Sequence, residues 1–362
     1  MAGHGATVRY AGPGSTTRVG AVRPRISVVV PTLNGGPGFR HLCRHLQLVR
    51  DRYDLEVLVI DSGSRDSTPE EAERCGFRVH RIDPGEFGHG RTRNLGVRMT
   101  SGDVICFLTQ DVLPCTPDWP ERFAAVLAEP GVAGVYGRQV PRDATTMEMF
   151  FVALNYPAER LRYGPVPLEV AEGESLGGTG EGEPFRGADG SRPDWSRIPP
   201  ELVRAATPRP GRVLFSNAFS AVRRDVVSRI PFNEEVPVSE DQVWALQALA
   251  AGYAIAYEPE AEALHAHTYS FRSLFRRTFL VGKALQGIGL DRGATFAESV
   301  RFLTSELRYF VMHGHAHRLP KLLCYEFVRW AGFQAGRKAV SSGISRRRTG
   351  RTNGNNGHGG GE

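Results

Sequence analysis

Six short polar clusters in this chain combine residue types that could do chemistry. Pro31-Thr32-Leu33-Asn34 and Asp61-Ser62-Gly63-Ser64-Arg65-Asp66 each follow a run of β-branched and aliphatic residues. A carboxylate at the end of such a run, followed by Gly and Ser, suits ribose hydroxyls or a base N–H. It equally suits an ordinary loop in which Asp66 or Ser67 caps the next helix. His89-Gly-Arg-Thr-Arg-Asn94 places Arg91 and Arg93 near a helix start, where they would hold a diphosphate or form a solvated basic turn. Thr109-Gln110-Asp111 ends a very apolar stretch. An acid there needs neutralising, and a divalent cation with oxygen ligands, Mg²⁺ or Mn²⁺, bridging it to a phosphate would do so. The alternative is an Asp that caps the turn before Pro114. Ser239-Glu240-Asp241-Gln242-Val243-Trp244 opens a helix, so its two carboxylates either complement the macrodipole or supply a general base. In His265-Ala266-His267, alternate residues of an extended segment face the same way, and one imidazole could complete a metal shell.

Positioning these clusters requires a framework that alternates strand and helix. Strands are expected at 26–31, 55–60, 77–82 and 103–108, with helices at 38–50, 68–75, 91–99 and 118–128 between them. This alternation predicts a doubly wound α/β sheet, in which ligands collect at the carboxyl ends of strands. The alternation lapses after Arg138. Residues 170–212, rich in Gly, Pro and Glu, are expected to form a flexible insertion; Trp195 within it is a candidate for stacking on an acceptor. A helix over 240–251, closed by Gly252, and a strand over 253–257 follow. Three helices are expected at 270–289, 295–312 and 320–341. The expected organisation is a tail at 1–23, a catalytic body at 24–269, a basic helical extension at 270–341 and a disordered tail at 342–362.

The composition of the 362 residues, 41% hydrophobic and 23% charged, excludes a disordered chain and a disulfide-stapled mini-protein. Five cysteines without a CxxC pair support neither a zinc ribbon nor a disulfide framework, and a reducing cytoplasm is the simplest setting. Residues 1–23 show no apolar leader core, and no stretch reaches the ~18 apolar residues of a spanning helix. A cytoplasmic location, or a peripheral one on the inner face of the cell membrane, is therefore expected. Net charge is +6, yet residues 268–351 carry 16 Lys/Arg against 4 Asp/Glu. A basic third on a mildly acidic body points to an anionic partner, either a membrane surface or nucleic acid. No zinc finger, RNP motif or helix-turn-helix pattern supports nucleic acid. GxGxxG, GxxxxGK[ST] and HExxH are all absent, which disfavours a usual dinucleotide fold, a P-loop and a zincin.

The ordered series of motifs says more than any one of them. Phe87-Gly-His-Gly-Arg-Thr-Arg-Asn-Leu-Gly96, Phe107-Leu-Thr-Gln-Asp111, Gly137-Arg-Gln-Val-Pro141, Asn155-Tyr-Pro157, Phe215-Ser-Asn-Ala-Phe-Ser220, Ser239-Glu-Asp-Gln-Val-Trp-Ala245 and His265-Ala-His-Thr-Tyr-Ser270 occur in that order. From about Ile26 to Tyr269 the chain resembles family 2 glycosyltransferases of the GT-A fold. Within that family it looks most like bacterial rhamnosyltransferases of polysaccharide biosynthesis.

The resemblance implies a Rossmann-like, mostly parallel central sheet flanked by helices, followed here by a C-terminal helical extension. It implies that Pro31, Thr32 and Asn34 line the nucleotide pocket and that Asp61 contacts base or ribose, with Ser62 where the family often has a second Asp. Arg93 and Asn94 would lie near the diphosphate. Thr109-Gln110-Asp111 replaces the usual DxD, leaving Asp111 as the metal carboxylate and Gln110 beside the donor. Glu240-Asp241 matches the family's acidic pair, with Asp241 as base. One of the two histidines would make the late metal or diphosphate contact, His267 being favoured, with His265 and Trp244 then on the acceptor side. The implied reaction is inverting transfer from a nucleotide-sugar, dTDP-L-rhamnose by the subgroup likeness, to a saccharide or lipid-linked saccharide. The implied cofactor is Mg²⁺ or Mn²⁺; an oligomer is compatible. Two other readings compete: a sugar-nucleotide nucleotidyltransferase and a catalytically inactive nucleotide-sugar-binding module. Thr32-Leu-Asn-Gly-Gly36 lacks the lysine the first would need, while the acidic pair and the histidines argue against the second.

Overall fold

The computed structural model describes residues 24–141, 147, 149–164, 214–265, 269–287 and 296–352. The expected 170–212 insertion, Trp195 and His267 lie outside these residues, as does the segment 1–23.

The first four strands are the predicted ones: β1 (Ile26–Thr32), β2 (Glu56–Asp61), β3 (Arg78–Arg81) and β4 (Val104–Leu108). Between them run α1 (Gly36–Tyr53), α2 (Thr68–Arg74) and α3 (His89–Met99). Next come β5 (Leu113–Pro114), α4 (Trp119–Leu127), β6 (Val132–Val140), α5 (Met149–Asn155) and β7 (Leu161–Tyr163). Then follow β8 (Phe219–Arg223), α6 (Arg224–Arg229), α7 (Glu240–Ala250) and β9 (Ala254–Leu264). The chain continues through α8 (Phe271–Gly287), α9 (Phe296–Met312) and α10 (Leu319–Thr352). α10 passes well beyond its expected end at 341.

The sheet order is β3-β2-β1-β4-β8-β6-β9-β5, with β7 also on β9. β1 to β4 pair in parallel, as the strand–helix alternation predicts. The second half is mixed, because β8 runs antiparallel to both β4 and β6. Two reversals restore the direction, so β6 and its parallel neighbour β9 end at the same edge as β1, β2 and β4. β8 begins at that edge, where Phe219 pairs with Leu108. One rim therefore gathers the ends of β1, β2, β3, β4, β6 and β9 and the starts of β8 and β5.

Strand alternation builds a core on each face of the sheet. Val28, Val30, Val59 and Cys106 pack with Phe39, Leu42 and Leu46 of α1 and Phe123 of α4. Val29, Leu58, Ile60, Ile105 and Phe107 pack on the other face with Val97 of α3 and Trp244 and Leu249 of α7. Each fully buried aliphatic or aromatic side chain contributes about 1.5–3 kcal/mol. These two layers make the rim a rigid platform.

The C-terminal helices are attached by close backbone packing. A Cβ at Gly332 would stand 2.7 Å from the Phe275 carbonyl oxygen, and one at Gly336 would stand 2.1 Å from that of Phe279. Both contacts advance by four residues, so α8 and α10 run in parallel, and only glycine permits this approach. α9 closes the group, stacking Phe302 against Phe150 of α5 with ring centroids 5.3 Å apart.

Candidate active site

The loops after β1 and β2 form one hydrogen-bonded cradle. Both the N–H and the hydroxyl of Ser62 donate to the Thr32 carbonyl, at 2.9 and 2.8 Å. Asp61 is buried and accepts from the Thr32 hydroxyl (3.0 Å), the Ser64 hydroxyl (2.5 Å) and the N–H groups of Gly63 and Ser64 (3.2 and 2.9 Å). Its carboxylate thus shapes the loop and offers little of itself to a ligand. Ser62, standing where the resemblance has an acid, acts as a staple between the two strand ends. Pro31 pairs with Ile60 and completes this end of β1. Asn34 adopts φ +51° and bonds Arg65 N through its Oδ1 (2.8 Å). Gln110 bonds both the N–H and the carbonyl of Leu33, at 2.8 and 3.0 Å. The residues assigned to nucleotide binding therefore lie together, tied chiefly to one another.

The Arg-Asn pair of α3 is placed differently from the sequence expectation. Arg93 Nη1 meets Glu240 Oε1 at 2.5 Å, with both side chains 5% exposed. Asn94 accepts from Phe232 N (3.0 Å) and donates to Phe232 O and Glu234 Oε1 (both 2.9 Å). Arg93 is engaged by Glu240, and Asn94 fastens the segment leading to α7. Gly90 serves the same docking, since a Cβ there would come within 2.2 Å of the Asn233 carbonyl oxygen.

Asp241 stands at the head of α7, partly buried, its Oδ2 accepting from Asn217 N at 3.1 Å and its Oδ1 from Gln242 N at 2.8 Å. Burial, reinforced by the charge of Glu240, pushes its carboxyl up to about 7 against the opposing pull of Arg93. A carboxyl poised near neutrality can take a proton from a hydroxyl. Trp244, expected on the acceptor side, is fully buried and donates its indole N–H to Ile230 O at 2.8 Å. It lies three residues beyond Asp241 on the helix, on the face that meets the sheet, so it supports the base and touches no acceptor.

Across the same rim, Asp111 keeps a side chain 45% exposed, with its Oδ2 3.6 Å from Nε2 of buried His265. His265 Nδ1 bonds Gln139 Oε1 at 2.7 Å. That acceptor places the ring proton on Nδ1 and turns the Nε2 lone pair toward Asp111. An imidazole nitrogen and a carboxylate oxygen converging in this way fit a divalent cation, with imidazole favouring Mn²⁺ over Mg²⁺. Among the described residues no cluster of three His, Cys, Asp or Glu side chains that could hold a metal forms. His265 thus stands beside Asp111, while His267 lies outside the described residues.

Residues 217 and 218 join the two halves. Asn217 N donates to Asp241, and Ala218 O accepts from Thr109 N at 3.1 Å, two residues before Asp111. Asp111 and Asp241 are therefore both tied to the start of β8 at the same sheet rim. Asn217 and Gln139 had no role in the sequence reading. Both sit within quoted motifs, Phe215–Ser220 and Gly137–Pro141, but their roles depend on pairings between distant segments.

Residues 27–171 match Glycosyl transferase family 2. Over these residues the chain is similar to that family. Beyond it, the chain is 29% identical over 330 residues to the O-antigen chain rhamnosyltransferase RfbN of Salmonella typhimurium, covering 89% of this chain and 92% of the relative. It is 27% identical over 328 residues to the O-antigen chain rhamnosyltransferase WbaN of Salmonella anatum, with the same coverage. Among solved structures, the mannosyltransferase PcManGT of Pyrobaculum calidifontis, in complex with GDP-Man and Mn²⁺, superposes with a TM-score of 0.54 at 18% identity, covering 87% of this chain and 86% of its own. That likeness confirms the GT-A fold. The family 2 match holds the cradle and Asp111, while Asp241 and His265 lie in the part shared with the rhamnosyltransferases.

Proposed function

We propose that this glycosyltransferase moves L-rhamnose from dTDP-L-rhamnose to a hydroxyl of a saccharide or lipid-linked saccharide, inverting the anomeric centre, in cell-surface polysaccharide synthesis. The observation that supports the reading is the position of Asp241, a partly buried carboxyl pushed up to about 7, bonded to Asn217 at the sheet rim that also carries Asp111 and His265. The donor's nucleotide rests on the cradle of Thr32, Asn34, Asp61 and Gln110, and its diphosphate lies toward Asp111. Asp241 accepts the proton of the incoming hydroxyl as that oxygen attacks the anomeric carbon from the side opposite the departing nucleotide diphosphate. No bond between sugar and protein is needed. Asp111 and His265 would hold Mn²⁺ or Mg²⁺, which when bound offsets charge on the leaving diphosphate. The choice of rhamnose rests on the two Salmonella relatives, and a polysaccharide acceptor on their O-antigen role. The setting that follows is the cytoplasmic side of the cell envelope.

A donor panel tests the reading: thermal stabilisation by dTDP-rhamnose, UDP-glucose and GDP-mannose with Mn²⁺, followed by transfer to rhamnose-accepting oligosaccharides. Stabilisation grows with ligand concentration over Kd, so the true donor stands out. Preference for another sugar, or release of pyrophosphate from a nucleoside triphosphate, would replace the proposal.

A further inference from the structure

α10 carries an apolar stripe that no other described part of the chain covers. Leu323, Phe327 and Trp330 follow one another at i, i+4 and i+7 on one face of the helix, with 46, 65 and 56% of their surfaces exposed. The Phe327 and Trp330 rings lie 6.2 Å apart. The face toward α8 is the one bearing Gly332 and Gly336, and Glu326 and Arg329 turn toward α9, so the stripe points outward.

The charge around the stripe has one dominant sign because of how the acids are placed. Of the four acids between residues 268 and 351, Glu306 and Glu326 are buried between α9 and α10. Cations continue the stripe's own side of α10: Arg337 lies seven residues beyond Trp330, and exposed Lys338 eight residues beyond it, while Lys321, Arg272 and Arg276 are exposed elsewhere on the helical group. No described helix is long and apolar enough to cross a membrane. An exposed Leu-Phe-Trp stripe with a basic border matches the interface of an anionic bilayer, where aromatic rings enter the headgroup region and cations meet lipid phosphates. A second copy of the chain would bring the same positive charge against itself.

We propose that the outer face of α10, with Leu323, Phe327 and Trp330 as its apolar wedge and Arg337 and Lys338 at its border, seats the protein on an anionic lipid surface. α8 begins six residues after His265 in the chain. The proposal does not depend on the sugar transferred.

The test is co-sedimentation of the full chain with phosphatidylcholine vesicles, with and without phosphatidylglycerol. Binding is expected only with phosphatidylglycerol and should fall as salt rises. Phe327→Ser/Trp330→Ser should weaken partition by at least about tenfold, with the far-ultraviolet circular dichroism unchanged. Should that variant unfold, Lys338→Glu, at an exposed position, provides the same comparison and should also weaken binding. Equal binding to neutral vesicles, or none to either, overturns the proposal. So does a dimer in sedimentation velocity that the serine variant returns to monomer, since the stripe would then serve a second copy.

Discussion

Arg93 and Glu240, 147 residues apart in sequence, form a buried ion pair at 2.5 Å directly beside Asp241. Glu240 raises the carboxyl of Asp241 and Arg93 lowers it, so the pair sets the working range of the base from two sides. Neutralising Glu240 as Glu240→Gln should move the acid limb of the kcat/KM–pH profile to lower pH. Arg93→Met should move it to higher pH and destabilise the fold by about 3–5 kcal/mol, because it strands a buried carboxylate. Profiles that shift together, or not at all, would detach this pair from the base.

Asp241 itself should show as an activity that rises with pH through about 7, since only the ionised carboxylate takes the proton. Asp241→Asn should lower turnover by about 10²–10⁴-fold while leaving donor affinity nearly unchanged. Its effect on stability has the opposite sense. A carboxyl raised in the folded state loses stability as pH climbs from the unfolded value toward 7, so the Asn variant should melt at or above wild type at pH 8. Loss of activity together with loss of stability at that pH would indicate a structural role instead.

The parallel half of the fold was legible because β-branched runs and intervening helical periods are local signals. β6, β8 and the second half of β9, beyond the expected 253–257, were not, because their pairing depends on β8 reversing direction between segments more than 80 residues apart. The site divides in the same way. Asp61, Asp111 and Asp241 could be read as acids at element ends. That Asp61 is absorbed by its own loop, that Trp244 faces the core and that Asn94 fastens residues 232–234 are products of packing, to which spacing is blind.

Gln139 offers a test of the cation-binding reading that does not rely on turnover. Its amide oxygen fixes the tautomer of His265. Gln139→Leu removes that acceptor while keeping the neighbouring volume apolar. Mn²⁺ affinity, read by electron paramagnetic resonance in the presence of dTDP, should fall by about 10–100-fold. His265→Asn and Asp111→Asn should lose as much or more. Unchanged Mn²⁺ binding in all three variants would move the cation elsewhere.

The C-terminal helices hold a titrating pair of their own. Glu306 is buried against α10, and its carboxyl is raised to about 8 by burial first and by Glu326 second, with Arg329 opposing. A folded-state value above the unfolded one means that the folded protein keeps the proton longer, so stability holds at acid pH and drains away as pH rises toward 8. Between pH 6 and 9 the wild-type chain should lose on the order of 2 kcal/mol through this group. Glu306→Gln, which keeps the shape and cannot ionise, should flatten that decline in a melting series. A wild-type decline that the Gln variant reproduces in full would assign the alkaline loss to other groups, Cys43 and Asp241 among them.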